Sequence, residues 1–167
     1  NAKLVDRRLS VRGLNFAWHR LEWPPLDRLV GASLDLTHSP HPLLLPAKRA
    51  KKIVTIHDLF FLKNPDMTEA EVQRDYVPLV RDHVRRADGV ICVSEHTASE
   101  ARLLLGVPAS KIAVIPNGID PAYREPVAPE TVDAVLARHR LPRGALLYVG
   151  SEDRRKNLVN LAMAYMG

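Results

Sequence analysis

Cysteine is nearly absent from this sequence: Cys92 is the single one among 167 residues. One cysteine cannot form an internal disulfide, so the chain is not a disulfide-stapled scaffold, and a reducing, cytoplasmic compartment is the simpler assumption. Because Cys92 lies inside an apolar run of strand length, we interpret it as a core residue. Long hydrophobic runs are absent as well, since no stretch approaches the ~20 apolar residues of a membrane-spanning helix. We therefore predict a globular chain that does not span a membrane.

Aromatic residues are scarce, at 5% of the chain, and this scarcity limits the interpretation of its positive charge. The net charge of +5 favours an anionic partner: nucleic acid, an anionic membrane surface or a phosphate-bearing ligand. No aromatic residues interleave with the basic residues at positions 48–52 and 81–86, and single-strand binders use such residues for base stacking. We therefore expect no nucleic-acid partner. A basic face that is simply solvated, or that is drawn to anionic lipid, stays open.

The best-specified stretch is residues 89–120, whose apolar runs and punctuation predict a strand, a helix and a second strand. Residues 89–93 form an apolar, β-branched run of the kind that parallel sheets bury on both faces. Ser94 is placed to cap a helix that begins at Glu95, where an acid suits the positive end of the helix dipole. Gly106 provides the stop. Residues 112–115 are the returning strand, which ends at the Pro-Asn-Gly turn of residues 116–118.

Two earlier segments also have strand character, and together they define the predicted fold class. We predict an α/β fold with a Rossmann-like, mostly parallel sheet and helices on both faces, built from residues 34–38, 52–56, 89–93 and 112–115. His57 and Asp58 follow the second of these strands directly. Ligands bind at the carboxyl ends of strands in open α/β sheets, so this pair is a candidate site. Position alone leaves open whether His57 binds a ligand or bonds a backbone carbonyl.

The segment between the second and third strands predicts a helix. Thr68 and Glu71 have the spacing of a capping box, and Pro78 either kinks the following helix or begins a second one. His83 falls on the apolar side of this helix, which favours a hydrogen-bonded core histidine over a ligand. The arginines at positions 81, 85 and 86 point away from that side.

His38 and His41 share the loop after the first predicted strand, a spacing that invites a metal-binding interpretation. No third ligand of suitable type lies nearby in the sequence, and Pro40 and Pro42 restrict the backbone. We therefore expect no metal site.

Proline recurs from position 116 to position 142, around one helical pattern at residues 130–140, and this density is typical of a connector. After it, residues 145–149 predict a strand and residues 157–165 a helix. Gly150 and a basic run that includes Arg155 and Lys156 lie between them. A glycine-containing loop that enters a helix with cations beside it suits the binding of a phosphate.

Four motifs, in this order and spacing, carry a resemblance to a known family: His57-Asp58-Leu59, Val93-Ser94-Glu95, Ile115-Pro116-Asn117-Gly118-Ile119-Asp120, and Gly150 with Arg155-Lys156-Asn157. The chain resembles the retaining nucleotide-sugar glycosyltransferases of the GT-B fold, family 4. The resemblance implies that residues 1–121 are the latter part of the N-terminal, acceptor-side domain and residues 122–143 the interdomain connector. Residues 144–167 would then be the first strand and helix of the C-terminal, nucleotide-sugar-binding domain.

The resemblance also implies an activity and site residues. It implies a hexosyltransferase that moves a sugar from a nucleoside diphosphate to a glycan, lipid-linked or small-molecule acceptor with retention of anomeric configuration. It implies a catalytic, charge-stabilising role for His57, without a covalent intermediate and without a metal or cofactor. The implied donor and substrate residues are Asp58, Ser94, Asn117, Gly118, Gly150, Arg155 and Lys156. Ser151 departs from the pattern, because many members carry another arginine there.

Two alternatives stay open beside this interpretation. The chain could be a non-catalytic α/β module that binds anionic lipid or polyphosphate, or part of a GT-B nucleotide-sugar epimerase. For a transferase, peripheral contact with the inner face of an anionic membrane is an expectation that follows from the basic residues. The family's later donor motif, which contains a glutamate, would lie beyond Gly167. We therefore expect the given sequence to be a fragment that is inactive alone.

Overall fold

Four parallel strands organise the first of two units in this computed structural model, which describes residues 4–166. The units are Asn1–Asn117 and Gly118–Gly167. The sheet has the order β1-β2-β3-β4, and each neighbouring pair is parallel. The predicted parallel α/β sheet is therefore confirmed. Its strands are β1 Leu36–Ser39, β2 Lys51–Ile56, β3 Gly89–Cys92 and β4 Ile112–Val114.

The α-helices of the first unit precede or separate these strands. The α-helices are α1 Val11–Phe16, α2 Leu26–Val30, α3 Phe60–Lys63, α4 Val77–Arg86 and α5 Glu95–Leu105. Among residues 4–166, no helix combines the length and the apolar character that crossing a bilayer requires.

The first strand starts two residues later than the sequence predicts. Leu36 lies opposite Lys51, the first residue of β2, and the Lys51 N–H donates to the Asp35 carbonyl at 2.9 Å. Residue 34 would therefore have no partner on β2, because β2 does not extend far enough. Backbone pairing sets this boundary, and the pattern of side chains does not reveal it.

Both faces of the sheet are covered at its centre. Val54 and Thr55 are consecutive residues of β2, so their side chains point to opposite faces, yet they are only 0% and 7% exposed. Cys92 of β3 is fully buried as predicted, and burial raises the pKa of its thiol. The core draws on β2, β3, α4, α5 and the loop after β1. Its members are Leu43, Leu44, Val54, Ile56, Leu59, Val80, Val84, Ala87, Val90, Cys92, Ala98, Ala101 and Val107.

Helix α5 begins and ends where its local signals predict. The Ser94 hydroxyl accepts from the Thr97 N–H at 3.1 Å, and Glu95 lies in the first turn. Gly106 ends the helix with φ of 67°, a left-handed conformation that a residue without a Cβ adopts at low cost.

Pro78 does not begin a separate helix, because residues 70–86 are helical without a break. Residues Val72–Tyr76 form a π-helical turn, and α4 then begins at Val77 with Pro78 in its first turn. Proline has no N–H to donate to the preceding turn, and a wider turn accommodates that loss. The capping box predicted at Thr68 is wrong, because the Thr68 hydroxyl donates to the Asn64 carbonyl at 2.9 Å instead.

The described part of the second unit, up to residue 166, contains two α-helices, α6 Pro129–His139 and α7 Leu158–Met166. They match the helical patterns predicted at residues 130–140 and 157–165. The strand predicted at residues 145–149 is not formed, because the described part of this unit has no other strand to pair with it. The assignment of residues 122–143 and 144–167 to a connector and a donor domain stays a prediction.

Candidate active site

The carboxyl ends of the four strands meet at one edge of the sheet. The ladder continues one residue past β3 and β4, since the Val93 N–H donates to the Ile56 carbonyl at 3.4 Å and the Ile115 N–H to the Cys92 carbonyl at 2.9 Å. His57 and Ser94 follow Ile56 and Val93 directly. The structure therefore brings these two predicted site residues to the same edge.

The His57 side chain is exposed and held at one nitrogen. Its Nε2 atom lies 3.0 Å from the carbonyl oxygen of Pro40, in the loop after β1. A carbonyl only accepts hydrogen bonds, so Nε2 carries a proton and donates it. On a neutral ring, Nδ1 keeps a lone pair that can accept from a ligand hydroxyl. His57 thus makes the backbone contact that sequence reasoning weighed as its alternative role, and it is also accessible at the ligand-binding edge.

The main chain of His57 is fixed by two hydroxyl groups at the start of α5. The Thr97 hydroxyl donates to the His57 carbonyl at 3.3 Å, and Thr97 is 4% exposed. Because that proton is committed, the Ser94 hydroxyl donates to Thr97 Oγ1 at 3.0 Å while it accepts from the Thr97 N–H. Ser94 therefore acts here through the cap of α5 and through Thr97.

Asp58 turns toward the following helix. Its Oδ1 atom accepts from the Phe60 N–H at 3.1 Å, at the start of α3. Burial, and secondarily the negative charge of Asp58, raise the pKa of Tyr76. The carboxylate thus lies beside the π-helical turn that contains Tyr76.

Asn117 and Gly118 are exposed residues of the segment that leaves the sheet after β4. Asn117 is the last residue of the first unit and Gly118 the first of the second. The predicted phosphate-binding residues Gly150, Arg155 and Lys156 all belong to the second unit.

Within the second unit, the basic run forms a single 3₁₀ turn, Arg154–Lys156, which Asn157 separates from α7. Asp153 caps this turn: its Oδ1 accepts from the Arg155 N–H at 3.1 Å, and its Oδ2 accepts from Arg155 Nε at 2.8 Å. The Arg155 hydrogen bonds are the main cause that lowers the pKa of Asp153. Arg155 thus forms an ion pair with Asp153. Lys156 is exposed and lies two residues before α7.

The histidines that suggested a metal site are engaged separately. His38 Nε2 lies 2.8 Å from the Thr55 hydroxyl on β2, whereas His41 Nδ1 accepts from the Leu43 N–H at 3.2 Å. Within residues 4–166, no group of three or more histidine, cysteine, aspartate or glutamate side chains could hold a metal ion.

His83 is the hydrogen-bonded core histidine that its helical position predicts. It is 3% exposed, and its Nδ1 atom accepts from the Leu44 N–H at 2.8 Å. Burial lowers its pKa, and the nearby Arg86 charge lowers it further.

Comparison with known proteins identifies the family. The family model described as Glycosyltransferase Family 4 matches residues 7–123. The chain belongs to Glycosyltransferase Family 4. It is also 26% identical over 129 residues to the O-antigen chain mannosyltransferase B of Escherichia coli. That alignment covers 77% of this chain and 33% of the relative, so the chain spans about a third of the length of the curated relative it matches.

Membership of Glycosyltransferase Family 4 confirms the family part of the resemblance. Of the predicted site residues, His57, Asp58, Ser94, Asn117 and Gly118 lie inside the matched range, whereas Gly150, Arg155 and Lys156 lie outside it. The site roles of all of them stay predictions.

Two features of the candidate site were missed from the sequence. Thr97 lies in the first turn of α5, on the same side as Ala98 and Ala101, and its helical spacing from these apolar residues is the sequence signal that could have indicated a buried hydroxyl. The Pro40 carbonyl could not be singled out from the sequence, because every residue has a backbone carbonyl.

Replacement of Thr97 by valine tests how the main chain of His57 is held. Thr97→Val keeps the shape but leaves the His57 carbonyl without its hydroxyl donor, so we expect the free energy of unfolding to fall by about 1 kcal/mol. We also expect the ¹³C chemical shift of the His57 carbonyl to change. Thr97→Ser is the matched control, because it retains the hydroxyl and should retain that shift. Identical shifts in both variants and the wild type would show that this hydrogen bond is not made.

Proposed function

We propose that this chain is part of a retaining glycosyltransferase that moves a hexosyl group from a nucleoside diphosphate sugar to an acceptor. The observation that carries the proposal is the accessible His57 at the carboxyl edge of a parallel sheet, inside the residues that match Glycosyltransferase Family 4. The relative's description as a mannosyltransferase supports a hexosyl donor. The acceptor is a glycan, a lipid-linked intermediate or a small molecule.

His57 is proposed to contact the transferred sugar. Its backbone is fixed by Thr97 and its Nε2 proton by Pro40, so the ring is held before a ligand arrives. A ring held in this way can orient the sugar through Nδ1 and stabilise the positive charge that develops as the glycosidic bond breaks. We propose no covalent intermediate, because no pair of facing carboxylates was found in the sequence pattern.

The leaving diphosphate is assigned to the second unit. Cations at a helix N-terminus are unfavourable on their own, yet Arg154, Arg155 and Lys156 lie just before α7. A bound diphosphate would remove that conflict, since backbone N–H groups, the helix dipole and the cations would all act on one anion. Gly150, Asn117, Gly118 and Ser94 complete the proposed donor and substrate contacts, and Asp58 is proposed to support them from the β2 edge. The proposal needs no metal or cofactor.

The alternative of a basic, non-catalytic module has less support from the structure. Lys51 pairs with Asp88 at 2.8 Å, and Arg85 pairs with Asp82 at 2.7 Å. Arg86 pairs with both Asp82 and Glu22. Three of the basic residues at positions 48–52 and 81–86 are therefore ion-paired within the protein. Peripheral contact with the inner face of an anionic membrane stays part of the proposal, through the exposed Lys48 and Arg49.

Replacement of His57 tests the catalytic assignment in the full-length protein. Because the ring would act mainly once charge has developed on the sugar, we expect His57→Ala to lower kcat by roughly 100-fold. Binding of the bare nucleoside diphosphate, measured by calorimetry, should stay near normal. His96→Ala is a matched control, because His96 is an exposed histidine of the same unit. Near-full turnover by folded His57→Ala would remove the catalytic assignment, and sugar-nucleotide modification without any acceptor would favour the epimerase alternative.

Replacement of Lys156 tests the donor site and should give the contrasting result. A charge-assisted contact to the diphosphate acts in the ground state and strengthens in the transition state. We therefore expect Lys156→Ala to weaken donor binding by about 1.5–3 kcal/mol and to lower turnover as well. Calorimetry with the nucleoside diphosphate and steady-state kinetics measure the two effects. Arg138→Ala, an exposed cation of α6, is the control, and equal losses in both variants would argue against a specific site.

A further inference from the structure

Three histidine side chains lie close together at the loop that follows β1, and none of them takes part in the proposed reaction. His19 lies in the π-helical turn Ala17–Leu21, His41 in the loop after β1, and His83 in α4. The His19 ring centroid is 5.8 Å from that of His83 and 6.5 Å from that of His41. The three rings therefore join the N-terminal segment, the loop and α4 in one cluster.

Two of these rings bond the backbone of the loop: His83 anchors it from α4, and His41, itself a residue of the loop, closes a turn within it. His83 Nδ1 accepts from the Leu44 N–H at 2.8 Å, and His41 Nδ1 accepts from the Leu43 N–H at 3.2 Å. An N–H only donates, so each Nδ1 must be unprotonated and each neutral ring carries its proton on Nε2. Leu43 and Leu44 are themselves core residues, 6% and 3% exposed. The two bonds thus fix a loop whose side chains are packed in the core.

The same loop contacts the candidate active site. Pro40, whose carbonyl accepts the His57 Nε2 proton at 3.0 Å, stands four residues before Leu44. His57 is therefore bonded to a segment that His83 anchors to α4 and whose turn is closed by His41. A displacement of this segment would remove the partner of the His57 ring.

Burial, more than the nearby charges, favours the neutral form of these rings. The groups that face it are Arg20 beside His19, Asp82 and Arg86 of α4, and Glu22, which pairs with Arg86. Burial is the largest cause that lowers the pKa of His19 and of His83, and partial burial of the ring also lowers that of His41, which is otherwise an exposed residue. The charges of Arg20 and Arg86 act in the same direction, and those of Asp82 and Glu22 oppose them only at His83.

We propose that His41 and His83 are positioning residues for the candidate active site: their neutral rings hold residues 40–44, and protonation releases this loop together with the Pro40 carbonyl that anchors His57. The effect on turnover rests on the proposed role of His57. The effect on the loop does not, because it concerns hydrogen bonds that exist without substrate.

The direction of the pH effect follows from the geometry. A second proton on either ring would place an N–H at Nδ1 against the N–H of Leu43 or Leu44, so the bond would be lost. Since the folded pKa values lie below the ordinary histidine value of about 6.5, the unfolded chain binds more protons in this range. The stabilisation is complete above about pH 6.5 and is lost as the pH falls from there through the folded pKa values.

Asparagine substitutions separate the titration from the hydrogen bond. The Asn Oδ1 atom takes the place of histidine Nδ1 and accepts from an N–H, but it does not titrate. In the wild-type chain between pH 8 and pH 5, we expect amide exchange of Leu44, corrected for the intrinsic rate, to lose protection by at least about tenfold. The His57 ¹⁵N ring signals should shift over the same range. The double variant His41→Asn/His83→Asn should keep Leu44 protected at both pH values, and His83→Leu should lose protection at both.

Amide exchange of Leu44 tests the positioning role of His41 and His83 without any measurement of activity. Equal Leu44 protection in the wild type at pH 8 and pH 5, or full protection in His83→Leu, would overturn it. In the full-length protein, the asparagine double variant should match the wild type in kcat at pH 8 and exceed it below pH 6. His139→Asn, on the exposed surface of α6, is the control for loss of a histidine. If His57→Ala proved fully active while Leu44 exchange behaved as expected, the proposed function would fail and the positioning of the loop would stand.

Discussion

Parallel pairing of four strands is the constraint on which the candidate site depends. Because β1 to β4 run in the same direction, every connecting segment leaves the sheet at the same edge. Residues far apart in sequence, such as His57 and Ser94, therefore start from neighbouring strands. Burial of Val54 and Thr55 on opposite faces keeps β2 in this register, since a shift by one residue would exchange its two faces.

Two different parts of the chain hold His57 at this edge of the sheet. Its carbonyl is bound by Thr97 from α5, and its ring is bound by Pro40 from the loop after β1. A residue whose backbone carbonyl and ring are both hydrogen-bonded before a ligand arrives loses little conformational freedom when the ligand binds. The histidine cluster behind the loop extends this support to α4 and to the N-terminal segment. Rigidity at the site thus comes from hydrogen bonds between elements, and the exposed surface stays free for substrate.

Local signals around α5 predicted the structure well, the capping box at Thr68 did not, and contacts between distant residues could not be predicted. The strand at residues 89–93, the Ser94 cap and the Gly106 stop depend on neighbouring residues, and the structure reproduces all three. The bond between Thr97 and His57 spans 40 residues, and that between Leu44 and His83 spans 39, so neither leaves a periodic trace in the sequence. Residues 145–149 have the sequence pattern of a strand but do not form one. A segment forms a strand only where a second strand is available to hydrogen-bond with its backbone.

We propose that sugar transfer takes place at the carboxyl edge of the sheet, and a crystal structure of the full-length protein with an unreactive nucleoside diphosphate sugar would test this proposal. We expect the transferred sugar to contact the His57 ring. A donor bound at the opposite, amino edge of the sheet, beside Lys51 and Lys52, would overturn the proposal.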